Sequence, residues 1–125
     1  MIEVYSLDKT VAANAAITWD DVWIEKGITS TLTAPASIDL NVAGVYCVSC
    51  SATSASSASI ELFVDGNAVP ATERTGFSPS FEHLVTVSRN NTSCCCSRPV
   101  TIQIRNSGAD SASFDAVNLV VTKLC

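Results

Sequence analysis

The chain has 125 residues, of which 15% are charged and 47% hydrophobic, and a formal net charge of −5. One domain of this length buries a sizeable core without metals or disulfides. The composition is too apolar for disorder and too poor in Lys, Glu and Leu blocks for a helical protein. Seven Lys+Arg against twelve Asp+Glu, with no basic cluster, exclude a phosphate-neutralising stripe, so no nucleic-acid partner is expected.

No stretch approaches the roughly 18 consecutive apolar residues of a membrane helix, so no membrane partner is expected. Met1-Ile2-Glu3-Val4-Tyr5 lacks the basic and apolar regions of a signal peptide, which predicts synthesis in the cytoplasm.

Residues 2–6 alternate Ile2, Val4 and Ser6 against Glu3 and Tyr5, predicting an edge strand. Val11 to Ala16 has helix propensity, whereas Ile17 to Ile24 reads as strand with Trp19 and Trp23 facing one way. Gly27 closes that unit, Ile28 to Thr33 is a further short β segment, and Pro35 breaks it. Gly44-Val45-Tyr46-Cys47-Val48-Ser49-Cys50-Ser51-Ala52 is the central strand, with Tyr46, Val48, Cys50 and Ala52 on its core face.

Ser59 to Val64 runs into Asp65-Gly66, the residue pair that tolerates positive φ at both centres of a tight hairpin. Pro70 then takes the return arm out of the ladder. Phe81 to Val87 and the cleanly alternating Val100-Thr101-Ile102-Gln103-Ile104 are strands, separated by a polar connection from Arg89 to Pro99. Ser113 to Leu124 is a long last strand in which Val117, Leu119 and Val121 face opposite to Phe114, Val120 and Leu124. About eight short strands with turn signals every 8–12 residues are the pattern of an all-β antiparallel sandwich or jelly roll. A last strand apolar on both sides calls for a subunit to cover it, which predicts an interface at Phe114, Val120 and Leu124, with Tyr5 beside them.

The succession Ala43-Gly44-Val45-Tyr46, Ile60 to Pro70, Val100 to Ile104 and Asn118-Leu119-Val120-Val121 resembles the globular-head superfamily shared by complement collagen-like heads and tumour necrosis factor. The resemblance covers roughly residues 10–124. More narrowly, Val11-Ala12-Ala13-Asn14 and the cysteine run before the penultimate strand are similar to small proteins of phages and prophages of gut Firmicutes. The C-terminal domains of Bacillus spore-surface collagen-like proteins are also similar. The resemblance implies a jelly roll that assembles as a homotrimer and serves as a phage virion protein. The sequence departs from the pattern in having no collagen-like stalk and no separate anchoring domain. Residues 1–10 are therefore expected as an attachment strand or arm, and 11–125 as a single jelly-roll domain.

Candidate sites are few. Cys47-Val48-Ser49-Cys50 has C-x-x-C spacing, but three positions along a strand put the two thiols on opposite faces, against redox or metal chemistry. Cys94, Cys95 and Cys96, with His83 or Cys125, are the residues that would ligate zinc; a turn of small, soft side chains is the expected reading instead. Asp20-Asp21 and Asp110/Asp115 lack the ligand series of a calcium loop, and there is no phosphate loop or nucleophile elbow. No cofactor and no enzymatic activity are expected.

The expected function is a trimeric capsid decoration protein, or head fibre, made in the bacterial host cytoplasm and carried on the virion surface. Its partners are further copies of itself and the phage major capsid protein or another virion protein. Attachment is expected through Ile2, Val4 and Tyr5 as an added strand or apolar foot. The alternative is a tail or surface module that binds a receptor or glycan.

Overall fold

The structure, a computed structural model, describes residues 1–26, 30–88 and 99–125. In chain order its strands are β1 (Ile2–Val11), β2 (Asp21–Glu25), β3 (Ser30–Ala34), β4 (Ser37–Leu40), β5 (Gly44–Thr53), β6 (Ala58–Val64), β7 (Asn67–Ala68), β8 (Arg74–Gly76), β9 (Ser80–Val87), β10 (Val100–Asn106) and β11 (Ala112–Lys123). They form two antiparallel sheets. One, here the terminal sheet, has the order β2-β1-β11-β5-β9; the other, the hairpin sheet, has the order β3-β4-β10-β6-β7, with β8 also on β6. Among the described residues the one helical element is a 3-10 turn, Pro70–Thr72.

The core lies between the sheets and follows the period of 2. From β5 come Tyr46, Val48, Cys50 and Ala52, and Val48, Cys50 and Ala52 pair with Val121, Leu119 and Val117 of β11. The hairpin sheet answers with Ile38, Leu40, Ile60, Leu62, Ile102 and Ile104, all at 0% exposure. Tyr46 places its ring in this core and still satisfies its hydroxyl, which donates to the Val42 carbonyl at 2.6 Å.

Several local expectations hold. Asp65 and Gly66 both sit at positive φ, 50° and 82°, the geometry of a two-residue type I′ hairpin. β7 lasts two residues before Pro70 opens the 3-10 turn. Cys47 and Cys50 do fall on opposite faces of β5, with Cys50 buried and Cys47 half-buried.

Other expectations need correction. Residues 2–6 are not an edge strand and residues 1–10 are not a separate arm, because β1 is hydrogen-bonded on one side to β2 and on the other to β11. Ile2 and Val4 are fully buried in the core, so they offer no foot to another protein. Val11 to Ala16 is not helical. Asn14 takes φ 61°, and the segment is laced to β10 by Asn14 N donating to Asn106 O and Ile17 N donating to Ile104 O. Trp19 is buried, whereas Trp23 is 67% exposed; they do not share a face.

The last strand is the most instructive correction. Phe114 is not at a surface: it is 1% exposed inside the protomer. Along β11 the inward residues are Val117, Leu119 and Val121 but then Phe114, a change of parity. Along β1 they are Ile2, Val4 and Ser6 but then Val11, the same change. Register is preserved throughout, with Leu7 opposite Ala116 and Lys9 opposite Phe114. Between them Asp8 adopts φ 52°, so the paired strands roll together and exchange faces. Apolar residues of both parities therefore serve one core, and the strand is less two-sided than its sequence.

Candidate self-association face

The outward side of the terminal sheet carries several of the exposed large apolar residues among those described. Its outward positions follow from register: Glu3 opposite Val120, Tyr5 opposite Asn118 and Leu7 opposite Ala116. Across β11 the rows continue to Ser49, Ser51 and Thr53, and across β5 to Leu84 and Glu82 of β9. Leu7, Trp23 and Leu84 are exposed to 54%, 67% and 55%. Monomeric proteins scatter single apolar residues over their surface, but several on one sheet face mark contact with another surface.

Each bulky residue has a local cause. Between Glu3 and Val4 the pairing of β1 with β2 slips by one residue, so Trp23 is the extra residue of a β-bulge. The bulge throws its indole out beside Tyr5, edge-on, with ring centroids 6.2 Å apart. Tyr5 hydroxyl donates to Asp21 Oδ2 at 3.3 Å, and the charge of Asp21 and partial burial hold the phenol above its ordinary pKa. Asp21 Oδ1 in turn accepts from Val22 N at 2.8 Å. Asp20 is bound by Lys9 at 2.5 Å and by Leu7 N at 3.0 Å, and the Lys9 contact holds its carboxyl low. These aspartates are therefore tied to the strand edge rather than presented to a cation.

The middle of the face is small and polar, with Ser49, Ser51, Thr53, Ala116 and Asn118. Asn118 Nδ2 donates to Glu3 Oε2 at 2.8 Å. Beside Tyr5 and Leu7, Ser51, Thr53, Ala116 and Asn118 line a shallow depression of about 270 Å³. Leu7, Trp23 and Leu84 stand exposed on the same face as this depression.

Of the residues expected at an interface, Val120 and Tyr5 lie on this face, half-buried. Leu124 is 56% exposed at the end of the chain, where its N–H donates to Val45 O. Phe114 belongs to the core. Leu7 and Leu84 escaped the sequence reading, although each is an apolar residue at an outward position of an alternating run.

The remaining candidates do not come together. Cys50 is enclosed by apolar side chains, and burial pushes its thiol up to about 12. Burial, and then the charge of Glu82, raise Cys47. His83 is half-buried opposite Val48. Cys94, Cys95 and Cys96 lie outside the described residues. Among the described residues no group of three His, Cys, Asp or Glu side chains is placed to hold a metal ion. No helix among them is long and apolar enough to cross a membrane.

The same two-sheet arrangement is present in solved structures. The globular domain of zebrafish complement 1qA protein superposes with a TM-score of 0.76 at 12% identity, covering 99% of this chain and 96% of that one. The fold is a C1q-like and TNF-like jelly roll. Murine APRIL is similar with a TM-score of 0.58 at 9% identity over 98% of both chains. Rabbit GITRL matches with 0.51 at 8% identity over 77% of both. At these identities the likeness establishes fold alone. No family model matches the sequence, and no curated protein matches it.

Proposed function

We propose that this jelly roll is a non-enzymatic structural subunit that associates as a homotrimer through the outward face of the terminal sheet. We further propose that the trimer decorates a phage capsid. The observation that carries the first step is the exposure of Leu7, Trp23 and Leu84 on one sheet face around a shallow centre. Roughly 170 Å² of Trp23 alone stands in water if two thirds of a large aromatic surface is exposed. Covering that area is worth about 4 kcal/mol per subunit before the costs of association. Around a three-fold axis each subunit would meet its neighbour head-to-tail through two different parts of this face, and the ring closes.

The second step rests on the resemblance of the Val11 to Asn14 opener and the cysteine run to phage proteins, and on the match between a trimer and the three-fold positions of a shell lattice. With Ile2 and Val4 in the core, contact with the shell must use other residues than those two.

Light scattering should return about three times the 13.1 kDa of the chain. Trp23→Asp combined with Leu7→Asp should return a folded monomer. A wild-type monomer at all concentrations would overturn the trimer. Gold-labelled antibody should mark the heads of purified particles; absence from particles would overturn the virion role, and labelling of the tail tip with binding to host cells would replace it by receptor binding.

A further inference from the structure

The hairpin sheet turns a different face outward. A groove of about 570 Å³ runs along it, with Asp65, Gly66, Thr101, Gln103 and Arg105 in its lining. Because Ile102, Ile104 and Asn106 point into the core, Thr101, Gln103 and Arg105 form the outward row of β10. The Arg105 guanidinium lies over the Phe63 ring, 4.3 Å from its centroid. Its Nε and Nη2 both donate to Gln103 Oε1, at 3.1 and 3.0 Å. Gln103 is itself held, its Nε2 donating to Ser37 Oγ at 2.8 Å.

Those two contacts use two of the five guanidinium N–H groups and leave the Nη1–Nη2 edge, the fork that fits a carboxylate. Among the described residues no carboxylate pairs with this cation, the one ion pair being Lys9 with Asp20. Glu61 faces Arg105 in register, but burial and then Glu73 push its carboxyl up, and the two form no ion pair. A fixed, unpaired and partly desolvated guanidinium on a rigid strand is an anion site waiting for its anion.

At the other end stands a carboxylate. Asp65 Oδ1 accepts from Thr101 N at 2.9 Å, and its Oδ2 has no partner among the described residues. The guanidinium sits level with the Gln103–Phe63 pair and Asp65 level with Thr101. That is one two-residue step, roughly 7 Å. A ligand spanning the groove must be anionic at one end and donate hydrogen bonds at the other. Inorganic phosphate meets the first demand and is repelled by Asp65. A neutral sugar meets the second and leaves the guanidinium edge unpaired.

We propose that this groove binds a sugar acid as a single pyranose residue, its carboxylate on the Nη1–Nη2 edge of Arg105 and a ring hydroxyl donating to Asp65. The groove lies on the sheet opposite the association face, so it remains open in the trimer and its role does not depend on the trimer.

The test is a titration of isotope-labelled protein with glucuronate, glucose and acetate, followed at the amides of Gly66, Thr101 and Arg105. Glucuronate should give saturable shifts with a Kd on the order of 1 mM, and glucose and acetate should bind about ten-fold or more weakly, the loss expected when a charged hydrogen bond goes unmade. Arg105→Lys keeps the charge but not the fork; it should weaken glucuronate by a similar factor while the remaining amides stay in place. Three results would each overturn the assignment: no saturable shift with glucuronate, acetate binding as tightly as glucuronate, or Arg105→Lys binding as tightly as wild type.

Discussion

Asn106 joins parts of the chain that are far apart in sequence, and its removal gives the sharpest test of how this fold is held. It is 0% exposed at the end of β10. Its Nδ2 donates to Val11 O and Asp110 O, both at 3.0 Å, and more weakly to Ala12 O at 3.4 Å. Its Oδ1 accepts from Gly108 N at 2.9 Å. One side chain thus ties the end of β1, the following segment and the 107–110 turn together. In Asn106→Ala, water reaches the exposed Asp110 side of the turn, so the Gly108 and Asp110 bonds are each worth about 1 kcal/mol. The Val11 carbonyl lies behind the sheet and is left dry, at about 2 kcal/mol. The sum is about 4 kcal/mol, which for a chain of this size lowers Tm by roughly 12–16 °C. Asn106→Asp keeps the shape but aims carboxylate oxygens at two carbonyls. That raises the folded-state pKa of the new carboxyl, so the variant should be least stable at neutral pH and recover as pH falls through the carboxylate range. Urea unfolding at matched protein concentration measures both. An Asn106→Ala loss below about 1 kcal/mol would refute the ledger, and a pH-independent Asn106→Asp would refute the donor assignment.

Two further outcomes follow from the same packing. Gly44 takes φ 150°, and a Cβ there would stand 2.2 Å from Cys125 O, a backbone atom, so Gly44→Ala should lower stability by about 2–4 kcal/mol in thermal unfolding; an unchanged Tm would show that the C-terminal residues are not docked there. Cys50, buried and with its thiol pushed up to about 12, should resist iodoacetamide at pH 8 in the folded protein while Cys125 reacts, as read by peptide mass mapping; equal labelling would show that the core opens on the timescale of the reaction.

Much of the architecture was legible because a period of 2 is a strong signal wherever one face is buried. β5, β6, β9 and β10 lie within a residue or two of their expected bounds, and Asp65-Gly66 announces its own hairpin. What failed did so for identifiable reasons. Local alternation says that Ile2 and Val4 share a face, but not that β1 is flanked by β2 and β11, because pairing is a long-range choice. The parity change around Asp8 is invisible in composition, since a single aspartate at positive φ is an ordinary loop residue until its strand is known. Trp23 faces outward only because of a bulge, and a bulge is fixed by the partner strand. The face around Leu7 and Leu84 could have been read from the rule that misled elsewhere: both break the polar half of their alternation.

The two outward faces of one sandwich differ in kind, and that difference carries the functional argument further than the fold does. Outward positions of the terminal sheet hold Leu7, Trp23, Val120 and Leu84 over small residues, a surface that gains by losing water. Outward positions of the hairpin sheet hold Ser37, Asp39, Thr101, Gln103 and Arg105, linked to one another by hydrogen bonds at 2.7 to 3.1 Å. Such a network is stable in water and loses by being covered unless the covering group replaces its contacts. In the proposed trimer, association through the terminal sheet would leave the hairpin sheet facing outward on every subunit. A contact made by that sheet would be repeated three times and strengthened by multivalency even where each single contact is weak. A sugar site on that sheet is complete within one subunit, and the proposed trimer would only repeat it.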